Sequence, residues 1–230
     1  MELLENTYFI NLDERPDRLE HLLGEFTKLG ITGTRYKGNK TKNGAVGCTL
    51  SHIKCLELAK QNNYPHVFIC EDDITFLEPD VFLKNLKKFK NSVYYENWDV
   101  IIVGGNNAPP FQPINNYCIQ VYNSQTTTGY IVNNRYYDKL INNFKTGIKN
   151  LISNPDNKRE YAIDMYWKQL QKQDKWYMII PPTVIQYESY SDIEERVVNY
   201  KNLMLDLEKP WVNNQVMPSF HNMLYRLPKV

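Results

Sequence analysis

One stretch constrains this 230-residue chain more than any other. Residues 66–76 read His-Val-Phe-Ile-Cys, then Glu71, Asp72 and Asp73, then Ile-Thr-Phe. A short apolar run of this kind predicts a buried strand. Three adjacent carboxylates at its end repel one another unless a cation lies among them or water screens them. The triplet is therefore either an oxygen-ligand site, which suits Mg2+ or Mn2+ better than zinc, or an acidic turn facing solvent. A ligand role fits the position, because ligands of open α/β sheets gather at the carboxyl ends of strands.

The segments around this run alternate in the same manner. Residues 7–12 predict a first strand, followed by a helix entered through Pro16. Asp13 is its expected cap, Leu19, Leu22, Leu23 and Phe26 its apolar face, and Gly30 its stop. Residues 34–37 predict a second strand, and the small residues from Gly44 lead into a helix that carries Ser51 and His52. A helix over 79–89, capped by Asp80, and a buried strand over 98–105 follow. Three strand–helix alternations predict an α/β fold with a largely parallel sheet and helices on both faces.

Beyond this point the pattern changes. Residues 106–116 read as a surface loop and 117–122 with 126–132 as a pair of strands. A helix over 134–144, another opening at Tyr161, a strand over 176–184 and a helical stretch to about Leu207 complete the chain. One domain is expected, with a first half over about 1–105, a second half over about 106–195, and a C-terminal helix and tail over 196–230.

A formal net charge of +1 indicates no nucleic-acid partner. No apolar run reaches the roughly 20 residues of a membrane span, and the N-terminus lacks the basic and apolar regions of a signal peptide. A soluble, cytoplasmic protein is expected. Cys48, Cys55, Cys70 and Cys118 show no CxxC spacing and read as buried free thiols of a reducing compartment.

Three further groups carry possible chemistry. Asn11, Asp13, Arg15 and Arg18 cluster where the first strand gives way to its helix. They suit a nucleotide's ribose or phosphates, or are solvated residues paired with Glu14 and Asp17. Thr127, Thr128 and Tyr130 offer hydroxyls, or pair across a sheet. Asp164 is a lone acid among apolar and aromatic neighbours. Such surroundings raise a carboxyl pKa toward that of a general base, although a simple N-cap explains it equally.

In this order, Ile10 to Arg18, Gly47-Cys48-Thr49-Leu50-Ser51-His52 and Phe68 to Ile74 resemble glycosyltransferase family 25. Residues 98–105, 128–132, the Asp164 segment and 182–193 extend the resemblance across residues 7–195. It departs from the family at Ala45, where Glu is usual, and in a short segment between Gly38 and Gly47.

The resemblance implies a GT-A-type fold and inverting, Mn2+-dependent (or Mg2+-dependent) transfer of galactose or glucose from a UDP-sugar. The acceptor would be hydroxylysine or galactosyl-hydroxylysine in collagen-like protein, or a surface oligosaccharide. It implies a metal on Asp73 with Glu71, and a donor site of Asn11, Asp13, Arg15, Arg18, Gly47, Ser51, His52, Glu71, Asp72 and Asp73. Thr128, Tyr130 and Gln186 fall on the acceptor side, with Asp164 as base and Asp192 as the runner-up. A non-catalytic glycan-binding or assembly module and a metal-dependent phosphohydrolase are the alternative functions.

Overall fold

The computed structural model describes residues 2–191 and 196–209. Strand β1 (Thr7–Asn11) turns into helix α1 (Pro16–Leu29), which Pro16 opens and Gly30 ends in the left-handed region at φ 63°. Arg15 occupies the N-cap position and no side chain caps the helix. The expected cap, Asp13, is drawn instead to Arg35 and Lys37 on the neighbouring strand β2 (Thr34–Lys37), at 2.8 and 2.5 Å.

Helix α2 (Gly44–Gln61) begins at Gly44 itself, capped by Asn43, whose Oδ1 accepts the Ala45 amide at 3.2 Å. The small residues expected to lead into the helix are thus its first turn. Gly47 permits that turn to lie against the preceding segment, since a Cβ there would sit 2.1 Å from the Asn39 carbonyl oxygen. Ala favours a helix over Gly by about 1 kcal/mol, but overpacking against backbone costs up to about 3 kcal/mol. Gly47→Ala is therefore expected to lower stability by about 2 kcal/mol in denaturant unfolding; an unchanged midpoint would refute the close approach.

The rest of the chain supplies β3 (His66–Glu71), β4 (Ile74–Phe76), α3 (Pro79–Lys90), β5 (Val100–Asn107), β6 (Phe111–Pro113), β7 (Cys118–Val121) and β8 (Ser124–Asn133). These are followed by α4 (Tyr137–Ser153), the single-turn helices α5 (Lys158–Tyr161), α6 (Ile163–Tyr166) and α7 (Lys168–Gln171), and β9 (Trp176–Ile179). Short elements β10 (Val184–Gln186), β11 (Ser189–Ser191), β12 (Arg196–Val198) and α8 (Lys201–Leu205) complete the described residues.

Eight strands form the main sheet in the order β2-β1-β3-β8-β5-β9-β7-β6. Their pairings leave β7 and β8 running against the other six. The expected α/β class with a mostly parallel sheet and an antiparallel region is present. The expected pairing of β7 with β8 is not. Strand β8 inserts between β3 and β5, and β7 lies between β9 and β6. Both strands are buried, so their own sequences do not say which neighbours they take. The stretch expected as a loop after residue 105 instead extends β5 and forms β6.

Two apolar layers cover the sheet. One packs Val67, Ile69, Tyr130 and Trp176 against α2, α4 and Trp167. The other packs Phe68, Cys70 and Ile131 against Phe26 of α1 and Phe82, Leu86 and Phe89 of α3. Strand alternation thus assigns odd positions of β3 to the first face and even positions to the second. All four cysteines are free, as expected. Among the described residues, no helix is long and apolar enough to cross a membrane.

Candidate active site

The alternation in β3 decides where the first acid goes. Glu71 follows Val67 and Ile69 on the face covered by α2, where His52 Nε2 lies 3.3 Å from its Oε1. The Thr127 hydroxyl donates to the same oxygen, and the Cys48 thiol is 3.9 Å from it. Behind this group, the Tyr130 hydroxyl is 2.8 Å from His52 Nδ1. Burial by itself would raise the Glu71 carboxyl, but hydrogen bonds from His52 and Thr127, with the nearby Arg18 charge, hold it below its ordinary value.

Asp72 and Asp73 leave the strand at the turn into β4 and meet α1 instead. Arg18, in the first turn of that helix, reaches Asp72 Oδ1 at 3.0 Å and Asp73 Oδ2 at 3.2 Å. Asn11 donates to Asp72 Oδ2 at 2.8 Å, and Gln186 donates to Asp73 Oδ2 at 2.9 Å. Asp73 Oδ1 is buried with no hydrogen-bond partner among the described residues. Burial first, and then the charges of Glu71 and Asp72, push Asp73 up to about 7. Asp72 is also raised, chiefly by burial, against the opposing pull of Arg18 and Asn11.

Asp164 enters from α6. Its Oδ2 accepts the Thr126 amide at 3.0 Å, and Thr126 holds φ at 70° to present that N–H. A β-branched residue rarely adopts this conformation, which costs about 1–3 kcal/mol and is found mostly at functional sites. Burial raises the Asp164 carboxyl, while the Thr126 amide and the Lys168 charge partly offset the shift.

A cavity of about 360 Å3 joins these networks, lined by Cys48, Glu71, Thr128, Asp164 and Gln186, with Lys158 at its side. Of the expected site residues, the structure brings Glu71, Thr128, Gln186 and Asp164 into one wall, and Asp73 touches that wall through Gln186. Others do not line the cavity. His52 and Tyr130 are fully buried behind Glu71, and Ser51 is nearly so, bonded to the Asn39 amide and the Gly47 carbonyl.

Gly47 serves helix packing, and Asn11 is consumed internally by Asp72, Arg15 and Arg35. Asp13 is turned toward β2. Arg15 is paired with Asp17 at 2.9 Å, as the solvated-pair reading supposed. Glu71 and Asp73, expected to share an ion, share no hydrogen-bond partner among the described residues, because the strand ends between them. Asp192 lies outside the described residues.

Asp73 could hold a divalent cation: its Oδ1 is a hard oxygen donor without a hydrogen-bond partner among the described residues, and Glu71 and Asp72 favour added positive charge, which Arg18 already supplies in part. Sequence reasoning missed Cys48 and Thr126 as site residues. The spacing of Cys48 one helical turn before His52 was a usable signal. Nothing in the residue type of Thr126 announces a positive φ.

The pattern of glycosyltransferase family 25 (LPS biosynthesis protein) matches residues 31–167. The chain is 23% identical to the procollagen lysyl hydroxylase and glycosyltransferase of Acanthamoeba polyphaga mimivirus, across 61% of this chain. It spans only 20% of that relative's length. Among solved structures, it is similar to a glycosyltransferase involved in glycosylating the major capsid of PBCV-1, at TM-score 0.49 and 9% identity, covering 89% of this chain and 90% of that one. It is also similar to a Drosophila β-1,4-galactosyltransferase 7 mutant in complex with manganese, UDP-Gal and xylobiose, at TM-score 0.38 and 9% identity, covering 99% and 82%. With a family pattern matching more than half of its length, the chain belongs to glycosyltransferase family 25.

Proposed function

We propose that this protein transfers a hexose, galactose or glucose, from a UDP-sugar to a hydroxyl group with inversion at the sugar carbon, and that the transfer depends on Mn2+ or Mg2+. One observation carries the reading: Asp164, its carboxyl raised by burial, lines a cavity of about 360 Å3 together with Glu71 and Gln186, and Gln186 in turn holds Asp73, whose Oδ1 is buried without a hydrogen-bond partner among the described residues. That volume is within the usual range of small-molecule sites.

Asp73 would hold the cation, which when bound stabilises negative charge on the departing diphosphate. Asp164 accepts the acceptor hydroxyl's proton as the new glycosidic bond forms and the bond to UDP breaks. The Thr126 amide holds Oδ2 of Asp164 and so fixes the orientation of the carboxylate. Arg18 bridges Asp72 and Asp73, offsets their mutual repulsion and opposes the rise in their pKa values.

The acceptor is hydroxylysine or galactosyl-hydroxylysine of a collagen-like protein, which the name of the mimivirus relative supports, or a surface oligosaccharide, which the family's description supports. Release of UDP from UDP-galactose and from UDP-glucose, followed with and without Mn2+, tests the donor and metal together. Release that requires metal is expected with at least one donor. If calorimetry finds neither nucleotide sugar binding in the presence of Mn2+, the reading is wrong.

A further inference from the structure

The acids at the end of β3 border a second grouping of a different chemical kind. Cys48 and His52 lie one turn apart on α2 and so share a face of the helix. Glu71 comes against them from β3. The Cys48 thiol, a His52 ring nitrogen and a Glu71 oxygen all lie within 4.8 Å of one another. Asp73 is not among them.

The geometry is close to that of a tetrahedral ion site. Bonds of about 2.0–2.3 Å set ligand atoms roughly 3.3–3.7 Å apart. The His52–Glu71 separation of 3.3 Å and the Cys48–Glu71 separation of 3.9 Å already approach those edges. One sulfur, one nitrogen and one oxygen suit a borderline ion, whereas Mg2+ and Mn2+ prefer oxygen alone.

The outer support is also present. The buried Tyr130 hydroxyl can accept a hydrogen bond from His52 Nδ1–H, which leaves the Nε2 lone pair facing the ion. Cys48 and Glu71 line the cavity, so an ion has both an entry route and a fourth position open to the cavity.

We propose that Cys48, His52 and Glu71 bind Zn2+ or a similar borderline divalent ion, at a position separate from that of Asp73. Binding breaks the Cys48 S–H bond, forms a metal–sulfur bond and releases the proton to solvent. The ion stands in the cavity wall beside the space that Asp164 faces. On the reading of the protein as a sugar transferase, Zn2+ is therefore an inhibitor that competes with substrate for the cavity.

Titration of the reduced full chain with Co2+ tests the site without any reliance on turnover. The expected result is a thiolate-to-cobalt charge-transfer band that Zn2+ abolishes. Cys48→Ser should lose the band, and Cys48→Ala should lose it equally, which covers any disturbance of packing by serine. Tyr130→Phe should keep the band and weaken binding by about 10- to 100-fold. Absence of the band in the parent protein, or its survival in both Cys48 variants, overturns the proposal. Loss of sugar transfer alone would leave the cobalt spectrum intact, so the two readings fail separately.

Discussion

Asp164→Asn is expected to reduce transfer by about 10²- to 10⁴-fold, the range for loss of a positioned general base, while leaving donor affinity nearly unchanged. Asparagine keeps an oxygen to accept the Thr126 amide, so the strained turn at φ 70° retains its partner. It cannot take a proton.

The pH profile gives an independent check. Burial raises the Asp164 carboxyl above its ordinary value. Below that raised value the group is protonated and inactive as a base; above it the base is available. The parent's kcat/KM should thus climb with pH to an inflection above the ordinary aspartate value, and this limb should vanish in the variant. Full activity in Asp164→Asn, or an unchanged acid limb, would remove Asp164 from the mechanism.

The largest expected effect on stability belongs to Arg18→Met. The Arg18 side chain is 13% exposed and contacts carboxylates that are 7% and 2% exposed. Breaking a buried pair by removing one partner typically costs about 3–5 kcal/mol, and here two acids lose the same counter-charge.

The sign of the pH dependence follows from the acids left behind. Their folded pKa values would stand further above the unfolded ones, so the folded state would favour their protonated forms. The penalty should be small where the acids are already protonated in the folded parent, below about 7 for Asp73, and grow as pH rises through that value. Denaturant unfolding at about pH 5 and about pH 8 should show the variant weakened far more at the higher pH. Equal stability of parent and variant at the higher pH would show that Arg18 is not the counter-charge. Added Mn2+ should restore part of the loss, because a cation at Asp73 replaces one of the missing charges.

Much of the fold was legible because local rules agree with the tertiary outcome. Pro16 and Gly30 bracket α1 as such residues do, and the apolar run before Glu71 became a buried central strand. The misreadings arose where long-range partners outbid local ones. Asp13 could cap a helix three residues away, but two cations on β2 hold it instead. The two strands before α4 are neighbours in sequence, yet β8 is ten residues long and pairs with β3 on one side and β5 on the other.

The same division runs through the site. Composition and order alone determined that three acids end a buried strand, that a further acid sits in apolar company, and to which family the motifs belong. Only the tertiary structure decided what each acid faces. Glu71 is the last residue to obey the alternation of β3, so it points to α2 and joins His52 and Cys48. Asp72 and Asp73 fall in the turn, where direction is set by whatever packs above it, and that is Arg18 of α1. Parity within a strand can be read from a sequence, because each residue's side is fixed by its neighbour's. The partner waiting on that side cannot, because it comes from a segment tens of residues away that only the packing of helices on the sheet brings near.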